Sequence, residues 1–342
     1  MKFQALNIKR YMLVLLCGGL LLNGAACKKW TEPKPLDIAS PDLEQQNPEI
    51  YGKYLEDLRA FKNNPHKINL GWFNNSKKNP TSQGDHFAVV PDSLDYLVLE
   101  SPLALVDREV EAMQALLEKK QTKVLFEIDF NTIKSSYLMQ DTLDIPFASF
   151  LKDTVTAILS ATAKYPYQGL VVSYNGKDVN HLSEDETKQV QAEEDLFFDL
   201  IKPAHSTYAG KTLAFKGTPQ YLFRKDMLTD YAFIILPTDA VLDLGGLSYA
   251  VLSASVAQVP THRFVVLASM TSYKADEAKL GYFANGARAA LATAQWAAAV
   301  QQGIKIHGVG YKNLSYDYYN VLKSYQYSRE AIQIINPAMK QK

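Results

Sequence analysis

The feature of this sequence that most constrains its fold is a series of eight short apolar runs separated by stretches with helical spacing. The runs are almost continuous in Val, Ile, Leu and Phe, as expected for parallel strands that are covered on both faces. They are INLGWF (68–73), DYLVLE (95–100), KVLFEIDF (123–130), GLVVSY (169–174), TLAFKG (212–217), YAFIILP (231–237), RFVVLAS (263–269) and IKIHGVGY (304–311).

Between these runs, apolar residues recur every three or four positions, which places them on one face of a helix. Eight strands that alternate with helices predict an α/β fold, a (β/α)8 TIM barrel that forms a single domain over residues 46–342. The alternative is an open, doubly wound sheet, but INLGWFNNS lacks the spaced glycines of a dinucleotide site. The fifth and sixth strands begin so close together that their crossover must be short. The predicted helices cover residues 47–63, 105–119, 147–164, 184–202 and 287–300.

The first 27 residues have the composition of a signal peptide. A basic start precedes the apolar run 11–22, which is too short to span a bilayer as a permanent helix. Small residues then lead to Cys27, an arrangement that resembles a bacterial lipoprotein signal, in which this cysteine is acylated. The alternative is an ordinary signal peptide that is cut near Ala26. Residues 28–45 are rich in proline and charge and predict a tether between the lipid and the barrel.

Composition excludes several classes of function. Removal of the leader takes Cys17 with it, so the mature chain has no internal disulfide and depends on its hydrophobic core. The 36 basic and 36 acidic residues cancel, which argues against nucleic acid or an anionic membrane surface as the main partner. We expect membrane contact through the lipid anchor alone. The six histidines show no ligand spacing and no G-x-S-x-G motif occurs, so neither a metal site, a cofactor nor a serine nucleophile is expected.

In a barrel of this type, function sits where the strands end, at the carboxyl face. The fourth strand, QGLVVSYN (168–175), resembles the D-G-x-D-x-D-x-E signature of glycoside hydrolase family 18. Gly169 matches the family's glycine. The residues that stand where the family carries Asp, Asp, Asp and Glu are Gln168, Val171, Ser173 and Asn175.

The resemblance extends over nearly the whole mature chain. KVLFEIDF is similar to the third strand of the family, and GVGYKNLSYDYYN with YSREAIQIINP is similar to the close of a Bacteroidetes lipoprotein branch. That branch combines an acylated leader, a tether and one barrel. The resemblance implies a lipid-anchored protein of the bacterial outer membrane, at the cell surface. It also implies a partner, the TonB-dependent transporter of a glycan-import system.

The substituted motif predicts a protein that is not an enzyme. The resemblance implies substrate-assisted hydrolysis, in which a glutamic acid protonates the leaving oxygen and an aspartate orients the acetamido group. The amide of Asn175 has no proton to give near neutral pH, and the hydroxyl of Ser173 carries no negative charge. General acid catalysis contributes about 10²–10⁴-fold, so little hydrolysis should remain.

Two alternatives stay open. One is an active endo-β-N-acetylglucosaminidase in which Glu127, Asp129, Asp239 or Asp317 replaces the missing acid. The other is a scaffold protein whose barrel mouth is plugged. Against the first, Glu127 and Asp129 share one face of their strand and are better explained as a polar layer paired with Lys216.

Aromatic residues at strand ends favour binding of sugars, because sugar rings stack their C–H faces on such side chains. The chain has 20 tyrosines, a number that suits such a surface. We therefore predict a lipid-anchored barrel that binds glycans containing N-acetylglucosamine without cleaving them. The predicted stacking residues are Trp72, Tyr174 and Tyr311, and the predicted polar contacts are Glu127, Asn131 and Asn175.

Overall fold

The computed structural model describes residues 43–140 and 144–337, and within them eight parallel strands close into a barrel. Each strand pairs with the next one along the chain, and the last, β10, closes on β1. This confirms the TIM barrel and rules out the open sheet. The barrel strands are β1 (Ile68–Phe73), β2 (Tyr96–Leu99), β3 (Lys123–Asp129), β4 (Gly169–Tyr174), β5 (Thr212–Gly217), β6 (Phe233–Leu236), β7 (Phe264–Ser269) and β10 (Gly308–Lys312).

Nine α-helices are found in the described residues, and the strands all lie in one compact unit that begins at Lys53. Five helices match predicted ones, with ends shifted by a few residues; α1, α4 and α9 were not predicted, and of α7 only a start at Gly245-Gly246 was predicted. The helices are α1 (Leu43–Gln46), α2 (Pro48–Asn63), α3 (Asp107–Lys120), α4 (Phe130–Leu138), α5 (Phe147–Thr162), α6 (Glu184–Thr207), α7 (Leu244–Ala254), α8 (Ala289–Ala298) and α9 (Gln326–Ile335).

The predicted start of the eighth barrel strand is wrong by four residues. Val300–Gln301 (β8) and Ile304–Lys305 (β9) form a separate antiparallel hairpin, and β10 begins only at Gly308. The two residues between β8 and β9, Gln302 and Gly303, both have positive φ, 48° and 86°. Two consecutive residues of this kind make the tight turn that joins hairpin strands. Ile304–Lys305 therefore pairs antiparallel with Val300–Gln301 and is not part of the barrel.

The crossover between β5 and β6 is short, as predicted. Its residues, all within the described range, form two 3₁₀ turns, Pro219–Tyr221 and Lys225–Asp230, and no α-helix. Tyr231 follows the second turn and packs against Phe215 of β5, with ring centroids 5.9 Å apart.

The core has two layers, because side chains alternate between the two faces of each strand. The inner layer fills the barrel and includes Leu70, Trp72, Val171 and Leu267. On β10, Gly310 leaves room for this layer: a Cβ there would lie 2.5 Å from Leu267 Cδ2 and 2.9 Å from Trp72 Cζ3. The outer layer packs between the strands and the helices.

None of the described helices is both long enough and apolar enough to cross a membrane. The predicted signal peptide, Cys27 and most of the predicted tether lie outside the described residues.

Candidate functional site

The motif positions on β4 are distributed along the barrel axis. Val171 is fully buried in the inner layer, and Ser173, two residues further on, donates a hydrogen bond from Oγ to Asp129 Oδ2 at 2.9 Å. Asn175 is the first residue after the strand; it is exposed, and its backbone N–H donates to Asn131 Oδ1 at 2.9 Å. Gln168 precedes the strand. At about 3.3 Å per residue, it lies roughly 20 Å from the carboxyl end.

A charged layer crosses the barrel mouth next to these positions. Glu127 accepts a hydrogen bond from Trp72 Nε1 at 2.9 Å and one from Lys216 Nζ. Lys216 also lies 3.7 Å from Asp129 Oδ2. Burial lowers the pKa of Lys216, but the charges of Glu127, Asp129 and Asp239 and the hydrogen bond to Glu127 raise it more, so the pKa ends above its usual value. The paired polar layer anticipated from the sequence is confirmed.

Asp129 has a structural task as well. Its Oδ1 accepts the backbone N–H of Thr132 at 2.8 Å and so caps the first turn of α4. Its other oxygen accepts from Ser173 and faces Lys216. A carboxylate whose two oxygens are engaged in this way is held in place, which suits orientation more than proton donation.

An open cleft of about 570 Å³ lies at the carboxyl ends of β1, β2, β3, β5 and β10. Glu100 lies on its wall, with Oε1 3.4 Å from Lys312 Nζ, and the same ammonium lies 5.1 Å from the centre of the Trp72 ring. Three carboxylates and two ammonium groups therefore share the cleft with one indole. The charged and aromatic residues that line it are Trp72, Glu100, Glu127, Asp129, Lys216 and Lys312.

Sequence reasoning missed Glu100 and Lys312. Both carry a simple positional signal: Glu100 directly follows β2, and Lys312 is the last residue of β10. Trp72 and Glu127 line the cleft among the predicted contacts, although Trp72 is only 1% exposed and offers little of its ring. Asn131 and Asn175 are not among the described residues that line it.

Two predicted stacking residues are corrected by the structure. Tyr174 is 2% exposed and packs in the outer layer, with ring centroids 4.9 Å from Phe130 and 6.0 Å from Phe197. Tyr311 is fully buried in the same layer, where its hydroxyl donates to Asn69 Oδ1 at 3.1 Å. Both side chains leave the strand on the face opposite the lumen, so neither is open to a sugar.

One proposed substitute acid is also excluded. Asp317 is buried, and its carboxylate accepts from the backbone N–H groups of Tyr327 and Ser328 and from the Ser328 hydroxyl. These bonds hold the start of α9. Asp239 is half-buried and follows the carboxyl end of β6 by three residues, so it lies on the mouth side.

A second large cavity, of about 950 Å³, lies at the other end of the barrel, between α2 and α9. It is lined by Phe61, His66, Arg329 and Ile332, among others, and by no residue of the β4 motif. Among the described residues, no group of three or more His, Cys, Asp or Glu side chains is arranged to hold a metal ion.

The motif on β4, in an eight-stranded barrel with its cleft at the carboxyl face, points to one family. The sequence profile of glycoside hydrolase family 18, BT1044-like, matches residues 31–334. The chain belongs to this family. No curated protein sequence matches it.

Solved structures agree on the fold. A selenomethionine form of BT1044 with a glutamate-to-glutamine substitution has a TM-score of 0.60 at 17% identity; the match covers 86% of this chain and 95% of that one. The endo-β-N-acetylglucosaminidase of Cordyceps militaris has a TM-score of 0.58 at 14% identity, covering 84% and 96%. A variant of that enzyme, at 15% identity, was crystallised with fucosyl-N-acetylglucosamine-Asn, and its TM-score is also 0.58 over 84% and 96% of the chains.

Proposed function

We propose that this protein binds glycans containing N-acetylglucosamine at the mouth of its barrel and does not cleave them. One observation carries the proposal: the exposed residue at the carboxyl end of β4 is Asn175, where the motif of the family requires a glutamic acid. An amide still donates and accepts hydrogen bonds with sugar hydroxyls, but it has no proton to transfer to a leaving oxygen.

The surroundings of Asn175 support this. Glu127 and Asp129 are engaged by Lys216, Trp72, Ser173 and the first turn of α4. A carboxylate that is already engaged by these donors is poorly placed to give a proton to a sugar oxygen. The ligand bound by the Cordyceps militaris enzyme contains N-acetylglucosamine, which favours the same class of sugar here.

The test uses the mature chain and two readouts. Isothermal titration with diacetylchitobiose measures binding, and mass spectrometry of an Asn-linked glycopeptide measures cleavage. We expect a saturable binding isotherm and no released glycan. A chain that binds no glycan at all is the scaffold alternative, and release of glycan at enzymatic rates contradicts the proposal directly.

Glu100 favours a second candidate function, an endo-β-N-acetylglucosaminidase with a relocated acid. It lies on the cleft wall, its side chain is 30% exposed, and its ion pair with Lys312 is long at 3.4 Å. If the chain does release glycan, Glu100→Gln should abolish the release. Asp239→Asn is the matched control: it removes the other candidate acid near the mouth and should leave the release unchanged.

We propose in addition that Cys27 is acylated and anchors the barrel at the outer face of the outer membrane, beside a TonB-dependent transporter. The support is the leader sequence and the family that the chain belongs to. Metabolic labelling with a palmitate analogue should mark the wild-type protein and not Cys27→Ala. Protease treatment of intact cells should digest an outward-facing barrel, and crosslinking in those cells should recover the transporter.

A further inference from the structure

Three tyrosines, here called the rim tyrosines (Tyr273, Tyr316 and Tyr319), lie on the loops that follow β7 and β10 at the carboxyl face. Tyr273 is 54% exposed and Tyr319 is 37% exposed, and their ring centroids lie 4.5 Å apart at an angle of 50°. Tyr316 packs edge-on against Tyr273, with centroids 5.4 Å apart. The cluster therefore offers aromatic surface to solvent, unlike Tyr174 and Tyr311.

The rim tyrosines are fixed from several sides. The Tyr319 hydroxyl donates to Ser82 Oγ at 3.0 Å, and Lys274 Nζ donates to the Tyr316 hydroxyl at 2.7 Å. The backbone of Gly84, in the loop after β1, approaches so closely that a Cβ there would lie 2.9 Å from Tyr319 Cζ. Rings that are already fixed lose little conformational entropy when a ligand stacks on them.

The charges near the rim tyrosines are balanced. Lys274 pairs with Glu277 at 3.0 Å, and Lys77 pairs with Asp85 at 3.2 Å; the hydrogen bond to Asp85 raises the pKa of Lys77. A surface with compensated charge gives no preference for an anionic ligand. Exposed aromatic faces ringed by hydroxyl groups instead suit the C–H faces and hydroxyls of neutral sugars.

The rim tyrosines follow, in sequence, two strands that end at the carboxyl face, and the last residue of one of these strands lines the cleft. The backbone N–H of Met270 donates to the carbonyl of Lys312 at 3.0 Å, so the loops after β7 and β10 leave the barrel side by side. Lys312 itself lines the cleft beside Trp72. We propose that the rim tyrosines form a second glycan-contacting surface, which stacks on a neutral sugar unit of a chain whose end occupies the cleft. This inference rests on the proposed function.

The test compares a short and a long probe, diacetylchitobiose and hexaacetylchitohexaose, by isothermal titration with the mature chain. We expect Tyr273→Ala to weaken binding of the long probe about five- to tenfold, the size of effect seen when an exposed contact tyrosine is truncated. Binding of the short probe should not change. Tyr273→Phe, which keeps the ring, should bind both probes like the wild type.

Tyr249→Ala is the matched control, because Tyr249 is 75% exposed on α7, on the outer wall of the barrel. It should bind both probes like the wild type. If Tyr273→Ala binds the long probe as well as Tyr249→Ala does, the second surface is refuted while the proposed function stands. Equal weakening of binding for both probes also refutes the second surface, since Tyr273 would then affect binding within the cleft itself. If the wild type binds neither probe, the proposed function fails and this inference fails with it.

Discussion

The hydroxyl of Ser173 and the carboxylate of Asp129 are joined by a 2.9 Å hydrogen bond across the β3–β4 ladder. The sequence predicts that Ser173 stands where the family motif carries an aspartate. In this protein the neighbouring strand already supplies a carboxylate at that point, and it caps α4. At this point of the polar layer the two strands therefore contribute one carboxylate and one hydroxyl donor.

Restoring the aspartate should destabilise the protein at neutral pH. Ser173→Asp brings two carboxylates within hydrogen-bond distance, which raises the pKa of one of them and costs about 2 kcal/mol of unfolding free energy. The loss of stability arises only when both carboxylates are charged. It should therefore shrink as the pH falls through the raised pKa, because one of the two carboxylates then becomes protonated. Urea unfolding at neutral and acidic pH measures this. Ser173→Asn, which still donates to Asp129, is the control, and an equal loss in both variants would contradict the prediction.

Removal of the Lys216 ammonium group from the barrel mouth should lower the unfolding free energy more than Ser173→Asp does. Lys216→Met leaves Glu127 and Asp129 without their cation in a largely buried layer, and we expect a loss of about 3 kcal/mol in unfolding free energy. The raised pKa of Lys216 sets the pH dependence. Its stabilisation is complete below the ordinary lysine value of 10.5 and is lost as the pH rises through the higher folded-state value.

A double-mutant cycle checks this coupling. Adding Glu127→Gln to Lys216→Met removes one of the stranded charges, so the double variant should be more stable than the sum of the single losses predicts. Strict additivity of the two losses would show that the pair is not coupled.

Asn175 should matter for binding and not for stability. Its side chain is exposed, so Asn175→Ala should unfold at the same urea concentration as the wild type. The proposed function predicts that this variant binds diacetylchitobiose several-fold more weakly, because it loses one hydrogen-bonding group at the rim. Thr207→Ala, an exposed residue at the last position of α6, supplies a control that should leave binding unchanged.

The pair His66–Asp95 should make stability depend on pH. His66 Nε2 lies 2.8 Å from Asp95 Oδ1, and this hydrogen bond, opposed by burial, raises the pKa of the histidine above 6.5. The pair therefore stabilises the fold fully below pH 6.5 and less as the pH rises through the folded-state value. The stability difference between wild type and His66→Gln should fall over that range. In an Asp95→Asn background the pH dependence should vanish.

Much of the barrel was predictable because its strands are covered on both faces and are therefore apolar throughout. The bounds of β1, β4 and β5 agree with the predicted ones to the residue. The extent of helix α7 was not predicted because LGGLSYAVLSA is apolar almost all round and contains two glycines, which weakens the helical period. Helix α4 was missed because it follows β3 without a loop, with Asp129 serving both as the last strand residue and as the cap.

The site was predictable in part. The pairing of Glu127 and Asp129 with Lys216 follows from strand order and alternation, and the structure has it. Alternation also argues against Tyr174, because a residue next to the lumen-facing Ser173 must face the other way. The exposure of Tyr273 depends on how separate loops meet, and no local pattern encodes that.

The contact between Gly310 and Trp72 decides the depth of the mouth. Because the glycine has no side chain, the Trp72 indole of β1 lies against the neighbouring strand β10 and occupies the space that a side chain there would fill. The barrel therefore has a solid floor just below its opening, and a polymer is unable to thread into it. A long-chain ligand of this protein would therefore lie across the top, where loop residues contribute contacts beside those of the strand ends.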